Sequence, residues 1–286
     1  MIKDYDSLMG MTPVVMEQRY SVKDSCIYAL GIGCGVDPAD DWARRHLGPL
    51  PPARALPAMA TVLAAPRLHA MDLGVTLSGV LHGSQGMVSH ALLPVEGEVR
   101  SETRVSGVFD RGLGRGSVVD MVRELRDARS EVHYASLLMT FICRSDQIAG
   151  APPLGEPARS AADERAPDLI VTVPTSPQAA QLFALTGDQN PLHLVPEVAA
   201  KAGFQQPILH GVATYGLCAA FAEKALCEKG GRLGAISGKF SAPVFPGEAI
   251  ELALWREQSG IRIEARVPSR QKVVFANGLV VIEGDH

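Results

Sequence analysis

The sequence lacks an excess of charge of either sign. Among its 286 residues, 27 Lys and Arg stand against 31 Asp and Glu, which gives a formal net charge of −4. Proteins that bind nucleic acid present a basic patch or stripe to the phosphate backbone, whereas here the basic residues are interspersed with acidic ones. We therefore expect no nucleic acid among the partners of this chain.

Long hydrophobic runs are also missing. No stretch approaches the ~20 consecutive apolar residues that cross a bilayer, and the first residues, MIKDYDSLMG, lack the basic and apolar regions of a signal peptide. The last residues, EGDH, do not resemble the S-K-L peroxisomal address. These absences predict a cytoplasmic protein with no membrane partner.

Cysteine is sparse and shows no paired spacing. An odd number without a C-x-x-C motif predicts free thiols in a reducing compartment, and the five residues are Cys26, Cys34, Cys143, Cys218 and Cys227. No Cys/His set has the spacing of metal ligands along the chain. The glycine-rich stretches 31–35 and 112–116 lack the strand and helix that flank a dinucleotide site. We expect no metal and no redox cofactor.

The composition changes sharply at residues 144–168, where Pro, Gly, Ala and charged residues replace any hydrophobic period. Such a segment is typical of a surface linker. It predicts an N-terminal unit at residues 1–143 and a C-terminal unit at residues 169–286, each long enough to fold around its own core.

Three short similarities between the two units occur in the same order. Tyr28-Ala29-Leu30 resembles Phe183-Ala184-Leu185, residues 94–98 (PVEGE) resemble 243–248 (PVFPGE), and residues 132–135 (VHYA) resemble 273–276 (VVFA). Their common order favours a duplicated unit over chance.

The apolar patterns predict an α+β fold. In the C-terminal unit, residues 212–227 form an Ala-rich helix with apolar residues at helical spacing, and residues 235–240, 249–255, 261–267 and 272–282 form strands. In the N-terminal unit, strands are predicted at 89–93, 99–109, 117–125 and 132–142. Pro57, Pro66, Gly74 and Gly79 interrupt the apolar stretch 56–82, so a full-length helix is not expected there.

The chemistry-bearing stretch is residues 183–193, FALTGDQNPLH. It places Asp188, Asn190 and His193 within six positions around a turn that Gly187 and Pro191 favour. A carboxylate and an imidazole are common general acid and base groups, and this spacing lets them share one water molecule. Each residue alone has a simpler interpretation, because Asp and Asn often cap turns and a lone His is often structural.

Leu209-His210-Gly211 directly precedes the predicted helix. The first amides of a helix have no intrahelical acceptor, so the N–H of Gly211 can stabilise a developing oxyanion. We expect His210 to anchor the turn rather than to react.

The residues G-D-x-N-P-L-H at 187–193 and A-x-x-A-G-F-x-x-P-I-L-H-G at 199–211 resemble the signature of the hydratase 2, or MaoC-like, family. Residues 28–33 and 81–83 also look like the N-terminal half of its two-repeat members. The resemblance implies a double hot-dog fold, in which each repeat is an antiparallel sheet wrapped around a helix. The N-terminal repeat is degenerate, because residues 31–37 hold no Asp-Asn-His set, and its weakened helix leaves room for a long or bulky acyl chain.

The same resemblance implies (R)-specific hydration of a trans-2-enoyl-CoA to a (3R)-hydroxyacyl-CoA, or the reverse dehydration, by a homodimer. Asp188 and His193 are then the catalytic pair, Asn190 supports them, and Gly211 donates its N–H to the thioester carbonyl. Lys239 and Phe240 lie where the family contacts coenzyme A, which is part of the substrate, so no separate cofactor is expected. One departure is Val195 before Pro196, where the family has a polar residue; it weakens the predicted helix cap.

Two alternatives remain open from the sequence. A hot-dog thioesterase would direct the activated water at the thioester carbonyl and release a free thiol. A non-catalytic acyl-CoA-binding subunit would bind the thioester without turnover, although the intact set of Asp188, Asn190 and His193 argues against it.

Overall fold

The computed structural model describes residues 3–49, 51–52, 54–155, 165–227, 231–258 and 260–284, and ten strands in this part form one antiparallel sheet. The first five strands are β1 (Val14–Tyr20), β2 (Val80–Ser89), β3 (Gly97–Asp110), β4 (Ser117–Asp127) and β5 (His133–Cys143). The other five are β6 (Leu169–Pro174), β7 (Arg232–Phe240), β8 (Ala249–Glu257), β9 (Gly260–Val267) and β10 (Lys272–Glu283).

Six α-helices accompany the sheet in the described residues. They are α1 (Tyr5–Met9), α2 (Val22–Gly31), α3 (Asp41–Leu47), α4 (Ala179–Ala184), α5 (Pro196–Lys201) and α6 (Gly211–Leu226). None of the described helices combines the length and the apolar character that a bilayer span requires.

The strand order β1-β3-β4-β5-β2-β7-β10-β9-β8-β6 is two copies of one pattern, joined where β2 pairs with β7. The three sequence similarities fall on equivalent elements of the two copies: α2 and α4, the turns before β3 and β8, and β5 and β10. The rings of Tyr28 and Phe183 lie 5.9 Å apart where α2 packs on α4. This arrangement is what a duplicated unit predicts.

Strand β5 ends at Cys143 and β6 begins at Leu169, where the sequence places the unit boundaries, and the division into two units stays a prediction. Residues 156–164 of the predicted linker lie outside the described residues, so the linker as a whole stays a prediction.

The central helix α6 matches the predicted helix at 212–227 within one residue at each end. Every residue from 213 to 223 is buried, as expected for a helix that is apolar all round. Its C-terminal end is tied to the N-terminal repeat by two ion pairs, Arg54 to Glu223 at 2.8 Å and Lys224 to Asp40 at 2.7 Å.

The described residues of the N-terminal repeat form no such helix. Its corresponding stretch forms only short 3₁₀ turns at Pro57–Thr61, Leu68–Met71 and Leu77–Gly79, in agreement with the helix-breaking residues noted above. Side chains from the sheet bond the backbone groups that a helix would have paired: Arg123 donates to the carbonyls of Ala60 and Thr61, and Ser101 Oγ donates to that of Ala64. Buried backbone groups are thereby satisfied without helical hydrogen bonds.

The predicted strand at 89–93 is wrong. The strand at this position, β2, ends at Ser89, and the residues after it form a loop; β2 begins at Val80, inside the interrupted apolar stretch 56–82, and the sequence predicts no strand over most of its length. Gly86 lies in this central strand between Leu138 and Ser237, whose Cβ atoms would make ordinary contact, at 3.5 and 3.6 Å, with an added methyl group.

Candidate active site

The loop between α4 and α5 positions Asp188. Gly187 has φ +120°, in the region that favours glycine, and turns the chain out of α4. One carboxylate oxygen of Asp188 accepts the backbone N–H of Asn190 at 3.2 Å, and Asn190 Oδ1 accepts that of Leu192 at 3.1 Å. The loop is therefore held by its own polar side chains, with the other Asp188 oxygen available to a ligand.

His193 ends the short 3₁₀ turn Pro191–His193 and is 8% exposed. Its Nδ1 lies 2.8 Å from the carbonyl oxygen of Ile208. A carbonyl only accepts, so Nδ1 carries the proton and Nε2 presents a lone pair. Burial lowers the pKa of His193 below its ordinary value, which keeps the ring neutral and able to accept a proton at neutral pH.

His210 is fully buried directly before α6 and stacks on His193, with ring centroids 3.8 Å apart. Its Nε2 donates to the carbonyl oxygen of Asp188 at 2.9 Å, whereas its Nδ1 is buried without a hydrogen-bond partner. Burial, followed by the neighbouring His193, lowers the pKa of His210 to about 4. The expected anchoring role of His210 fits the first of these contacts.

Gly211 is the first residue of α6, so its N–H is one of the amides without an intrahelical acceptor. The Phe240 ring lies against it, 3.5 Å from where a Cβ would be. The arrangement brings a carboxylate, an imidazole with a free lone pair and a helix N-terminus into one region, and their catalytic roles stay a prediction.

His82 is the residue that the sequence-based assignment of the site missed. It lies on β2 in the N-terminal repeat, stacked on Phe141 at 4.9 Å and edge-on to Phe240 at 5.0 Å, and its Nε2 is buried without a partner. Burial lowers its pKa to about 4, and Asp188 is close enough to oppose that shift. The N-terminal repeat thus supplies a wall of the site. The only signal in the sequence was that residues 81–83 repeat the Leu-His-Gly of residues 209–211.

Two predicted residues are placed differently from the others. Asn190 is exposed and its Oδ1 caps the 3₁₀ turn, so the simpler interpretation accounts for that atom. Lys239 is exposed on the sheet face opposite to its neighbour Phe240, because successive strand residues alternate, and only Phe240 reaches the site. A contact between Lys239 and coenzyme A stays a prediction.

Potential metal ligands also meet here. One ligand atom each from Asp188, His193 and His210 lies within 4.8 Å of the other two, the one such group among the described residues. The sequence did not indicate this set, because its spacing of five and then seventeen residues matches no compact metal motif.

Comparison with known proteins places these features in a family. Residues 159–276 match the family model of the MaoC-like domain, and residues 18–145 match that of the MFE-2 hydratase 2 N-terminal domain. A Mycobacterium tuberculosis protein named Enoyl-CoA hydratase ChsH3 is 31% identical over 290 residues, which cover 98% of each chain.

Two solved structures are similar to this chain over nearly its whole length. The crystal structure of a MaoC-like dehydratase from Phytophthora capsici matches with a TM-score of 0.86 and 27% identity, covering 99% of this chain and 100% of that one. A Mycobacterium tuberculosis protein with a double hotdog fold matches at 16% identity with a TM-score of 0.54, covering 98% and 96%, and so supports the fold alone. The predicted double hot-dog fold is confirmed, with the sheets of its two repeats continuous through β2 and β7. The chain belongs to the MaoC-like, hydratase 2 family.

Proposed function

We propose that this chain is a hydro-lyase that adds water across the double bond of a trans-2-enoyl-CoA to give a (3R)-hydroxyacyl-CoA, or catalyses the reverse dehydration. The observation that carries the proposal is the convergence of Asp188 and His193 beside the N-terminus of α6. The similar hydratase and dehydratase named above support the reaction class and the thioester substrate.

In the hydration direction, the Asp188 carboxylate and His193 Nε2 hold one water between them. The water oxygen bonds to the β-carbon as one of its protons passes to this pair, and the double-bond electrons shift towards the thioester oxygen. The Gly211 N–H stabilises the resulting enolate, as an oxyanion-hole donor does. The pair then returns a proton to the α-carbon, so that the elements of one water are added and the chain is unchanged.

The acyl group has a candidate cavity of about 180 Å³ beside the catalytic loop. Its walls combine apolar residues of the N-terminal repeat, Ile27, Met59, Val62 and Leu63, with Leu185, Thr186 and Gly187 of the loop, and Gln18 and Asp24 complete it. It lies where the first repeat lacks its helix, which supports a medium, long or bulky acyl chain. A series of enoyl-CoA substrates of graded length and bulk tests this: Met59→Trp should lower kcat/KM most for the bulkiest member.

We propose a homodimer for the assembled protein. Across β5, β2, β7 and β10, Leu138, Gly86, Ser237 and Leu279 lie in register on the outer face, with the two leucines 49% and 36% exposed at either end. The row Leu-Gly-Ser-Leu is nearly the same when it is read from either end. It can therefore pack against the same row of a second copy of this chain across a two-fold axis. Sedimentation velocity of Leu138→Lys should then show monomers; an unchanged sedimentation coefficient places any interface elsewhere. The cytoplasmic location stays a prediction.

The activity is tested by the loss of enoyl absorbance with crotonyl-CoA and longer enoyl-CoA substrates. Asp188→Asn and His193→Ala should each reduce kcat by about 100-fold or more, the usual scale of general acid–base catalysis. Near-normal rates in both variants would end the proposal. Release of free thiol instead of loss of the double bond would identify a thioesterase, and tight binding without turnover would identify a binding subunit.

A further inference from the structure

In each of the two stacked histidines at the site, one ring nitrogen donates a hydrogen bond and the other has no hydrogen-bond partner among the described residues. His193 Nδ1 donates to the carbonyl of Ile208 and His210 Nε2 donates to the carbonyl of Asp188, so each ring must carry its proton on that nitrogen. The lone pairs therefore reside on His193 Nε2 and His210 Nδ1. The latter is buried with no hydrogen-bond partner, which is a costly position for a polar atom unless something else bonds to it.

This is the outer-shell arrangement of metal-binding histidines, which generally donate their second ring N–H to a backbone carbonyl or carboxylate. Here two imidazoles satisfy that condition side by side, and the Asp188 carboxylate completes the group within 4.8 Å. A tetrahedral zinc site with Zn–N bonds of ~2.0–2.1 Å has its ligand atoms about 3.3 Å apart. The three ligand atoms lie within 4.8 Å of one another, so the ion has to draw them closer by up to about 1.5 Å as it binds.

We infer that Asp188, His193 and His210 form a binding site for a divalent transition metal, with Zn²⁺ as the best-fitting ion. Two imidazole nitrogens and one carboxylate suit zinc, whereas Mg²⁺ and Ca²⁺ require mostly oxygen ligands. Asp188 is only partly buried, so the ion has a route from solvent. The metal takes the atoms that would otherwise hold the water for hydration, so it acts as a reversible inhibitor; only this inhibition rests on the proposed function.

The chain offers a matched control in a second stacked pair. The ring centroids of His90, just after β2, and His133, at the start of β5, lie 4.1 Å apart; His133 Nε2 is 2.8 Å from Glu124 Oε2 and His90 Nε2 is 2.9 Å from Ser136 Oγ. This pair also combines two imidazoles with a carboxylate, but the Nε2 atom of each ring is bonded to a side chain rather than to a backbone carbonyl. Both members are more exposed than His193 and His210. It is the competing site that a surface-binding metal would choose.

Zn²⁺ binding to chelator-treated protein, measured by titration calorimetry, tests the inference directly. We expect one equivalent to bind to the wild type and to the double variant His90→Ala/His133→Ala. Asp188→Asn, His193→Ala and His210→Ala should each weaken binding by at least about tenfold, the loss typical of disturbing even a hydrogen-bond partner of a ligand. Asp188→Asn preserves shape at a partly exposed position, so it remains informative if a histidine variant does not fold.

Co²⁺ supplies a second readout that does not depend on activity. Its visible spectrum should show nitrogen and oxygen ligation without thiolate charge transfer, and a thiolate band would assign the metal to cysteine and overturn the inference. Absence of stoichiometric binding, or binding lost only in the His90→Ala/His133→Ala variant, would also overturn it. Zn²⁺ that binds through Asp188 and His193 but leaves hydration unaffected would support the metal site and contradict the proposed catalytic role of these residues.

Discussion

His193 and His210 fasten two segments of the site to each other by reciprocal hydrogen bonds. His193, in the loop after α4, donates to Ile208 in the segment before α6, and His210, in that segment, donates back to Asp188 in the loop. The rings stack between these two bonds at a centroid distance of 3.8 Å. Asp188 is therefore positioned by a histidine from another part of the chain, and the candidate catalytic pair depends on both segments.

The first prediction concerns His210 as a positioning residue. His210→Phe keeps a ring beside His193 but removes the N–H that holds the Asp188 backbone, so kcat should fall roughly 10- to 100-fold, as for a small misplacement of a reacting group. Stability should fall by only about 1 kcal/mol, the net value of one hydrogen bond. Steady-state kinetics and urea unfolding separate the two effects.

His210→Gln is the matched control, because its side-chain amide places a donor near the position of Nε2. It should recover much of the lost kcat at similar stability. Equal activity of the Phe and Gln variants would contradict a role for this hydrogen bond.

The second prediction concerns pH. Burial holds the pKa of His193 below 6.5 and that of His210 at about 4, so both rings are neutral in the fold and charge more readily when it is lost. Because each folded-state pKa lies below the ordinary value of 6.5, protons bind preferentially to the unfolded chain in acid. The two histidines therefore leave the free energy of unfolding undiminished above pH 6.5, and they lower it as the pH falls from 6.5 towards about 4. The acid limb of kcat/KM should have its midpoint below 6.5, where His193 loses its free lone pair.

A pH profile of kcat/KM, with circular dichroism at each point, checks this. An acid limb centred at or above pH 6.5 in still-folded protein would contradict the lowered pKa of His193.

The parts of this molecule that the sequence predicts are those governed by local patterns. Helix α6 is apolar on every side and free of internal proline, and β8 and β10 begin at the predicted residues. The Asp188 loop follows from Gly187 and Pro191. In each case neighbouring residues alone determine the backbone.

The elements that were missed depend on distant contacts. Strand β2 contains Gly83 and Gly86, which disfavour a strand locally, and it forms because β5 and β7 pair with it on either side. His82 joins the site only through that pairing, 106 residues before Asp188 in the sequence. The metal-capable group likewise requires His210 to fold back over the loop. None of these relations has a signature at short range in the sequence.

The third prediction tests the packing between the repeats. A methyl group added at Gly216 in α6 would collide with the Tyr28 hydroxyl and approach Ile32 Cγ2 to 3.0 Å. Such overpacking costs about 1–3 kcal/mol, and replacing a mid-helix glycine returns about 0.5–1 kcal/mol. Gly216→Ala should therefore lower the free energy of unfolding by about 1 kcal/mol.

Tyr28→Phe removes the colliding oxygen, so the double variant Gly216→Ala/Tyr28→Phe should recover part of the lost stability. Chemical denaturation of the four proteins in this cycle measures the coupling. Strictly additive effects would show that the two residues do not press on each other.

The fourth prediction separates the effect of removing the Gly211 N–H from the effect of adding a side chain at that position. Proline has no N–H yet is favoured at the first position of a helix, and His210 before it already has the extended backbone, φ −57° and ψ 134°, that precedes proline readily. Gly211→Pro should fold with near-normal stability and lose about 100- to 1000-fold in kcat, the effect of removing one oxyanion-hole donor.

Gly211→Ala keeps the N–H, and its Cβ would meet the Phe240 ring at an ordinary 3.5 Å. Any loss in the Ala variant should therefore appear mainly in KM, through crowding of the thioester. If the Pro variant folds and turns over enoyl-CoA as fast as the Ala variant does, the amide of Gly211 does not stabilise the enolate, and another donor must be sought, beginning with His82.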